Sequence, residues 1–155
     1  MNHKLIFTFI LGITMLLSAC NNSKVTSKEG KEMSDFEIVF ESEYGGTGQE
    51  ETKVIENQGE FAELWVQVTM QPAQSAPHID FSKKIIIAKH FQSKNSGGTE
   101  YKIESVFQKG STIEVHYSAT GPEGMATMAI TNPLMILSVD KVENPKVEFI
   151  NHNGN

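Results

Sequence analysis

From Asp35 onward, the apolar residues of this 155-residue chain fall in short runs, several of which alternate with polar residues. Ile113, Val115 and Tyr117 give the clearest alternation, with polar residues at the positions between them. Successive side chains of a strand point to opposite faces, so this period of two is typical of half-buried strands. Six or seven such runs, separated by turn-forming residues, predict a mainly β domain, built as an antiparallel β-sandwich or an open barrel.

One short α-helix interrupts this β pattern. Asn57, followed three residues later by Glu60, is typical of a helix start of the capping-box type. The apolar residues that come next fall on one helical face, and they are Phe61, Leu64, Trp65 and Val68. We expect the lone tryptophan to anchor this helix on a sheet, because a buried aromatic ring provides a large apolar contact area.

A continuous apolar run, Ile85–Ala88, does not alternate at all. Its β-branched residues predict a strand that is covered on both faces and therefore lies in the centre of a sheet. The chain has a single cysteine, which excludes an internal disulfide and a thiolate metal site. Side-chain packing must therefore supply the stability of the domain.

The N-terminal segment has the layout of a secretory signal. Lys4 precedes the apolar run Leu5–Leu17, which is 13 residues long, and small residues lead from it to Cys20. This run is shorter than the roughly 20 apolar residues that a membrane-spanning helix needs. We therefore expect residues 1–19 to be a signal peptide that is removed.

The residues Leu17-Ser18-Ala19-Cys20 resemble the lipobox of bacterial lipoproteins. The resemblance implies cleavage before Cys20, acylation of its thiol, and a membrane partner reached through the lipid anchor. Residues 20–34 are rich in polar residues and predict a flexible tether, so the β domain is expected at 35–151. By resemblance to lipoproteins of bacteria with two membranes, Asn21 favours an outer-membrane anchor that faces the periplasm.

The charge of the chain excludes one class of partner. All 13 basic residues are lysines, and the whole chain carries a net charge of −6. Removal of the predicted signal peptide would take away Lys4 and leave 12 lysines against 19 acidic residues, a net charge of −7. An acidic chain without arginine lacks both the basic surface and the planar guanidinium that grip phosphate. We expect no nucleic-acid partner.

Sequence motifs for catalysis or cofactor binding are lacking. No Gly-x-Ser-x-Gly run, phosphate loop or His-x-x-x-His pair occurs in the chain. Glu114 and His116 lie on the polar face of one predicted strand, and we interpret them as a solvated pair. The expectation is a protein that is not an enzyme and has no cofactor and no metal site. A hydrolase that depends on His90 or His116 remains the alternative.

A polar loop with two glycines is the candidate binding site. We predict that Ser96, Gly97, Gly98, Thr99 and Tyr101 contact a partner protein, since glycines permit unusual backbone angles and close approach. The glycine-bearing loop Gly121–Thr127 is expected to share the same end of the domain. A purely structural connection between two strands is the alternative interpretation of the Ser96–Tyr101 loop.

The stretch from Val54 to about Ile150 resembles the C-terminal domain of the protease complex subunit PrcB family. Three local features carry the resemblance: Phe61–Trp65, Pro77–Lys83 before the apolar strand, and the Asn-Ser-Gly-Gly loop that precedes Tyr101. The resemblance implies a non-catalytic domain of envelope proteins that supports a protease complex. The expected function is therefore that of a lipid-anchored module that binds another protein, such as an envelope protease.

The same loop is faintly similar to the Asn-Pro-Thr-Thr-Gly-Tyr loop of chagasin-type cysteine peptidase inhibitors. That similarity implies an immunoglobulin-like sandwich that inhibits a peptidase through its loops. Peptidase inhibition and the binding of a small ligand are therefore the two alternative functions.

Overall fold

The computed structural model of the protein describes residues 30–71, 74–122, 124 and 128–153. The predicted signal peptide, Cys20 and the first part of the predicted tether lie outside these residues. Among the described residues there are eight strands and one helix. They are β1 (Lys31–Glu32), β2 (Glu37–Ser42), β3 (Glu51–Ile55), α1 (Gln58–Thr69), β4 (Lys84–His90), β5 (Glu100–Lys109), β6 (Thr112–Thr120), β7 (Leu134–Asp140) and β8 (Lys146–Asn151).

The strands form two four-stranded sheets, one ordered β1-β5-β6-β8 and the other β2-β7-β4-β3. A buried apolar core lies between the sheets, and a second lies between α1 and the outer face of the β2-β7-β4-β3 sheet. The predicted mainly β fold with one short helix is confirmed. No helix in the described part of the chain has the length and apolar content to cross a membrane.

Strand β8 departs from the predicted antiparallel arrangement, because it pairs with β6 in parallel. All other strand pairs are antiparallel. After β6 the chain crosses to the other sheet, runs back along β7, and then crosses again to form β8. Two crossings reverse the chain direction twice, so β8 runs in the same direction as β6.

The strands β4 and β7 lie at the centre of their sheet and are covered on both faces. Ile85 and Ile87 point toward the other sheet, whereas Ile86 and Ala88 point toward the helix. A strand with an apolar layer on each side has no polar face. The continuous apolar run at Ile85–Ala88 correctly predicted this central position.

The helix begins where the capping pattern predicts. The Asn57 side chain accepts a hydrogen bond of 2.9 Å from the backbone N–H of Glu60, which satisfies one of the free donors of the first turn. All four predicted apolar residues of the helix are buried. Trp65 packs edge-on against Phe40 and Phe61, with ring centroids 5.4 and 5.8 Å away, so its predicted role as a core anchor is confirmed.

The folded domain begins earlier in the chain than Asp35. Lys31 and Glu32 pair with Phe107 and Gln108 of β5, and the Met33 side chain is only 4% exposed. The predicted tether therefore extends too far, because residues 31–32 pair with the sheet and Met33 is buried in the core. A single buried methionine within a polar segment carries too little apolar content to mark a strand by composition.

Candidate binding surface

Loops 43–50, 91–99 and 121–133 meet at one end of the sandwich, which we call the loop end. Backbone hydrogen bonds connect these loops directly. Asn132 N donates to Glu43 O at 2.7 Å, Gly46 N donates to Asn132 O at 2.8 Å, and Lys94 and Thr131 exchange two bonds of 2.9 Å. Since each loop is bonded to its neighbour, the loop end presents a mutually braced backbone.

Most of the predicted contact residues lie within this surface, but to very different depths. Ser96 and Thr99 are partly exposed, Gly98 is exposed and Gly97 is buried. The Ser96 carbonyl accepts a hydrogen bond of 3.4 Å from the Thr131 hydroxyl. Ser96, Gly98 and Thr99 are thus accessible to a partner, whereas Gly97 is not.

Gly98 has a structural reason to be glycine. Its φ is +83°, a conformation that side chains with a Cβ disfavour. Its N–H donates to Glu43 Oε1 at 2.7 Å, and an added Cβ would lie 3.2 Å from Pro122 Cβ. The two glycine-bearing loops therefore meet as predicted, although residues 123 and 125–127 of the second loop lie outside the described residues.

Tyr101 is a core residue and does not lie on the contact surface. Its side chain is 7% exposed and stacks on the Phe91 ring with the centroids 3.9 Å apart. Burial, with the nearby Tyr117 and Glu50, raises the pKa of the Tyr101 phenol to about 12. The alternation of β5 carries the signal for this burial, since Tyr101 and Ile103 share a face of the strand.

Four exposed apolar side chains lie at the loop end, and the sequence patterns did not single them out. Tyr44 is 56%, Ile130 71% and Met70 77% exposed, and Met128 is fully exposed. Met70 belongs to this end because the last turn of α1 lies against loop 43–50. The Val68 carbonyl is so close to Gly45 that a Cβ added to this glycine would lie 3.4 Å from it. Apolar groups concentrated on one surface are typical of an interaction site.

A groove of about 360 Å³ opens between β2 and the last turn of α1. Its apolar lining comes from Phe40, Tyr44, Trp65, Val68 and Met70. The Trp65 indole N–H is buried and has no hydrogen-bond partner among the described residues. The size and lining of this groove suit an apolar side chain of a partner.

The chain joins the domain at the opposite end. Antiparallel pairing places Lys31 beside Gln108, next to the β5–β6 turn at Gly110, so β1 runs from this turn toward the loop end. We call the end formed by Gly30 and the β5–β6 turn the hairpin end. A tether that precedes Gly30 therefore begins about the length of a strand away from the loop end.

The histidines named in the sequence analysis have separate structural positions. His90 is buried beneath loop 43–50, and its Nδ1 accepts a hydrogen bond of 3.2 Å from Thr47 N–H. His116 lies on the outer face of β6, where its ring contacts His152 and Glu114. No three or more His, Cys, Asp or Glu side chains in the described ranges are arranged to hold a metal ion.

Comparison of the chain with protein-family models, with curated proteins and with solved structures finds no match.

Proposed function

We propose that this chain is a lipid-anchored protein of the bacterial cell envelope, without catalytic activity of its own, that binds another protein through the loop end. The observation that carries the proposal is the position of the four exposed apolar residues. Tyr44, Met128 and Ile130 lie on the braced loops and Met70 follows the last turn of α1, all at the end of the domain opposite the hairpin end. A rigid β scaffold with exposed loops at one end is a common design for protein recognition.

The anchor and the contact surface are compatible with each other in this arrangement. If Cys20 is acylated, the ten residues from it to Gly30 extend at most about 35 Å. The tether would join the domain at the hairpin end, so the loop end is the part of the domain farthest from the attachment point. An outer-membrane anchor facing the periplasm would then present the loop end to periplasmic proteins.

An envelope protease or a subunit of its complex is the partner that the PrcB-like features favour. Exposed methionine and aromatic side chains can adapt to a partner surface, as Met70, Met128 and Tyr44 would at the loop end. The groove beside Trp65 would accept one apolar side chain of the partner. No chemical step is required of the chain itself in this role.

Crosslinking capture from native membranes tests the proposal. The intact protein is compared with a Met128→Glu, Ile130→Glu double variant, and bound proteins are identified by mass spectrometry. We expect the double variant to lose the captured partner because two charges are placed in the apolar contact. Val66→Glu is the matched control, since Val66 is exposed on the helix. Equal capture by all three proteins would overturn the assignment of the surface.

A separate measurement tests the anchor. Cys20→Ser should abolish metabolic labelling with palmitate and release the protein from the membrane fraction. A wild-type protein that takes up no palmitate would contradict the lipidated anchor, and this result would leave the contact surface unaffected.

A peptidase assay separates docking from inhibition, because an inhibitor could use the same loops. The purified domain, residues 30–155, is added to a panel of cysteine peptidases. Stoichiometric inhibition that the Met128→Glu, Ile130→Glu variant loses would assign the loop end to inhibition.

A further inference from the structure

Two histidines that are 36 residues apart in the chain meet on the outer face of the β1-β5-β6-β8 sheet. His116 Nδ1 lies 2.8 Å from His152 Nε2, and the ring planes are 25° apart with centroids 5.0 Å from each other. The centroid separation is close to the N···N distance plus one ring radius on either side. The rings are therefore arranged edge to edge, and the two nitrogens point at each other.

Glu114 selects the tautomer of His116. Its Oε2 lies 3.4 Å from His116 Nε2 and 2.7 Å from Lys109 Nζ. An ionised carboxylate favours a proton on the facing Nε2, so the lone pair of Nδ1 is directed at His152. Carboxylates orient metal-binding histidines in the same way.

Backbone hydrogen bonds fix the positions of both histidines next to each other. His116 is paired with Ser105 of β5 on one side and with Ile150 of β8 on the other. His152 N–H donates to the Tyr117 carbonyl at 2.8 Å, immediately next to His116. The Phe107 ring packs edge-on against His116 with a centroid distance of 5.3 Å. Two donors prepositioned in this way lose little conformational freedom when they bind a common ligand.

We propose that His116 Nδ1 and His152 Nε2 bind a divalent transition-metal ion between them, with Glu114 as the positioning residue. Imidazole nitrogen is a preferred ligand of Zn²⁺ and Cu²⁺, at about 2.0–2.1 Å for zinc. The ion takes the place of the proton that the two nitrogens share, and the exposed His152 ring moves outward to admit it. Water completes the coordination, because the described residues supply two protein ligands.

Titration of the purified domain with ZnCl₂ at pH 7.5, followed by calorimetry, tests the site. We expect one Zn²⁺ per chain in the wild type and at least a tenfold loss of affinity in His152→Asn. His152 is exposed, so this variant should fold. His78→Asn is the matched control, since His78 is also exposed and lies outside the site. Glu114→Gln should weaken binding about tenfold, as loss of an orienting carboxylate does elsewhere.

Nuclear magnetic resonance of the imidazole nitrogens provides an independent readout. Zn²⁺ should shift the signals of His116 Nδ1 and His152 Nε2 and leave those of His78 unchanged. Equal Zn²⁺ affinity of wild type and His152→Asn, or no binding by the wild type, would overturn the proposal. The histidine pair would then be a proton-sharing hydrogen bond only.

Discussion

His90 is buried against the helix-facing side of its sheet, and loop 43–50 covers it. Burial lowers the pKa of its imidazole, and the positive charge of Lys53 lowers it further. The neutral ring can accept the Thr47 N–H at Nδ1, whereas a protonated ring would have no lone pair there. The hydrogen bond between Thr47 and His90 thus depends on a neutral His90.

We predict that acidification destabilises the domain through His90. Its pKa is lower in the folded than in the unfolded protein, so the unfolded state binds more protons below the usual histidine pKa of about 6.5. The stability from neutral His90 is complete above that pH and is lost as pH falls toward the lowered folded value. Urea unfolding at pH 7.5 and 5.5 should show a larger loss for the wild type than for His90→Gln. Equal losses would assign the pH dependence to other groups.

At the scale of elements, the N-cap and the first strand are the two features with the clearest energetic consequences. Asn57 accepts the Glu60 N–H at the start of α1, and the next residue, Gln58, binds the Pro77 carbonyl and the Ile79 N–H at 3.0 and 3.1 Å. The start of the helix thus also holds the segment that leads to β4. Capping is a local property that the sequence pattern predicts, whereas the contact with residues 77–79 is tertiary.

Replacement of the N-cap residue should lower the free energy of unfolding by a modest amount, and a residue with an acceptor oxygen should restore most of it. We expect Asn57→Ala to lower the free energy of unfolding by about 1 kcal/mol, because one N–H of the first turn loses its acceptor. Asn57→Asp keeps an acceptor oxygen and should retain most of the stability. Chemical denaturation of the three proteins checks this, and an Asp variant as unstable as the Ala variant would argue against a capping role.

The strand β1 gives a second prediction at this scale. Met33 is buried between the sheets, and its N–H donates to the Val106 carbonyl at 2.8 Å. Met33→Ala should lower the free energy of unfolding by about 2–3 kcal/mol, as is usual for removal of a buried methionine. Met70→Ala is the matched control and should change it little, because Met70 is exposed. If the Met33→Ala domain is as stable as the control, residues 31–33 do not contribute to the stability of the fold and belong to the tether.

At the scale of the whole molecule, a lysine lies in the core where the two sheets face each other. The Lys89 side chain is 6% exposed, and its Nζ lies 2.6 Å from Oε1 of Glu50, whose side chain is 65% exposed. The ammonium also lies 5.7 and 5.1 Å from the ring centroids of Phe91 and Phe149. Phe149 belongs to β8, so this cation of β4 reaches the facing sheet.

The two members of this ion pair should respond differently to substitution. Glu50→Gln leaves the Lys89 ammonium buried without its counter-charge and should destabilise the domain by about 1–3 kcal/mol. Lys89→Met fills a similar volume and leaves Glu50 exposed to solvent, so it should cost less than Glu50→Gln. Urea unfolding of both variants measures the difference, and a larger cost for Lys89→Met would show that the cation–π contacts outweigh the ion pair.

The fold was predictable from the sequence to the extent that local patterns carry it. Alternation in β6, the continuous apolar run of β4 and the Asn57–Glu60 cap each depend on neighbours within one element. The meeting of the two glycine loops was also predicted, and the short distance from Pro122 to the position of an added Cβ on Gly98 confirms it. The same patterns located the region of the candidate surface.

The burial of individual side chains, and the contacts between residues on different strands, were decided only in the tertiary structure. Tyr101 became a core residue because Phe91, directly after β4 of the facing sheet, stacks on it, and Met33 joined the fold because β5 had a free edge. His116 and His152 meet because β8 returns parallel to β6. Contacts between residues far apart in the chain depend on how the elements assemble, so a periodicity that shows which face of a strand is apolar cannot show what covers it.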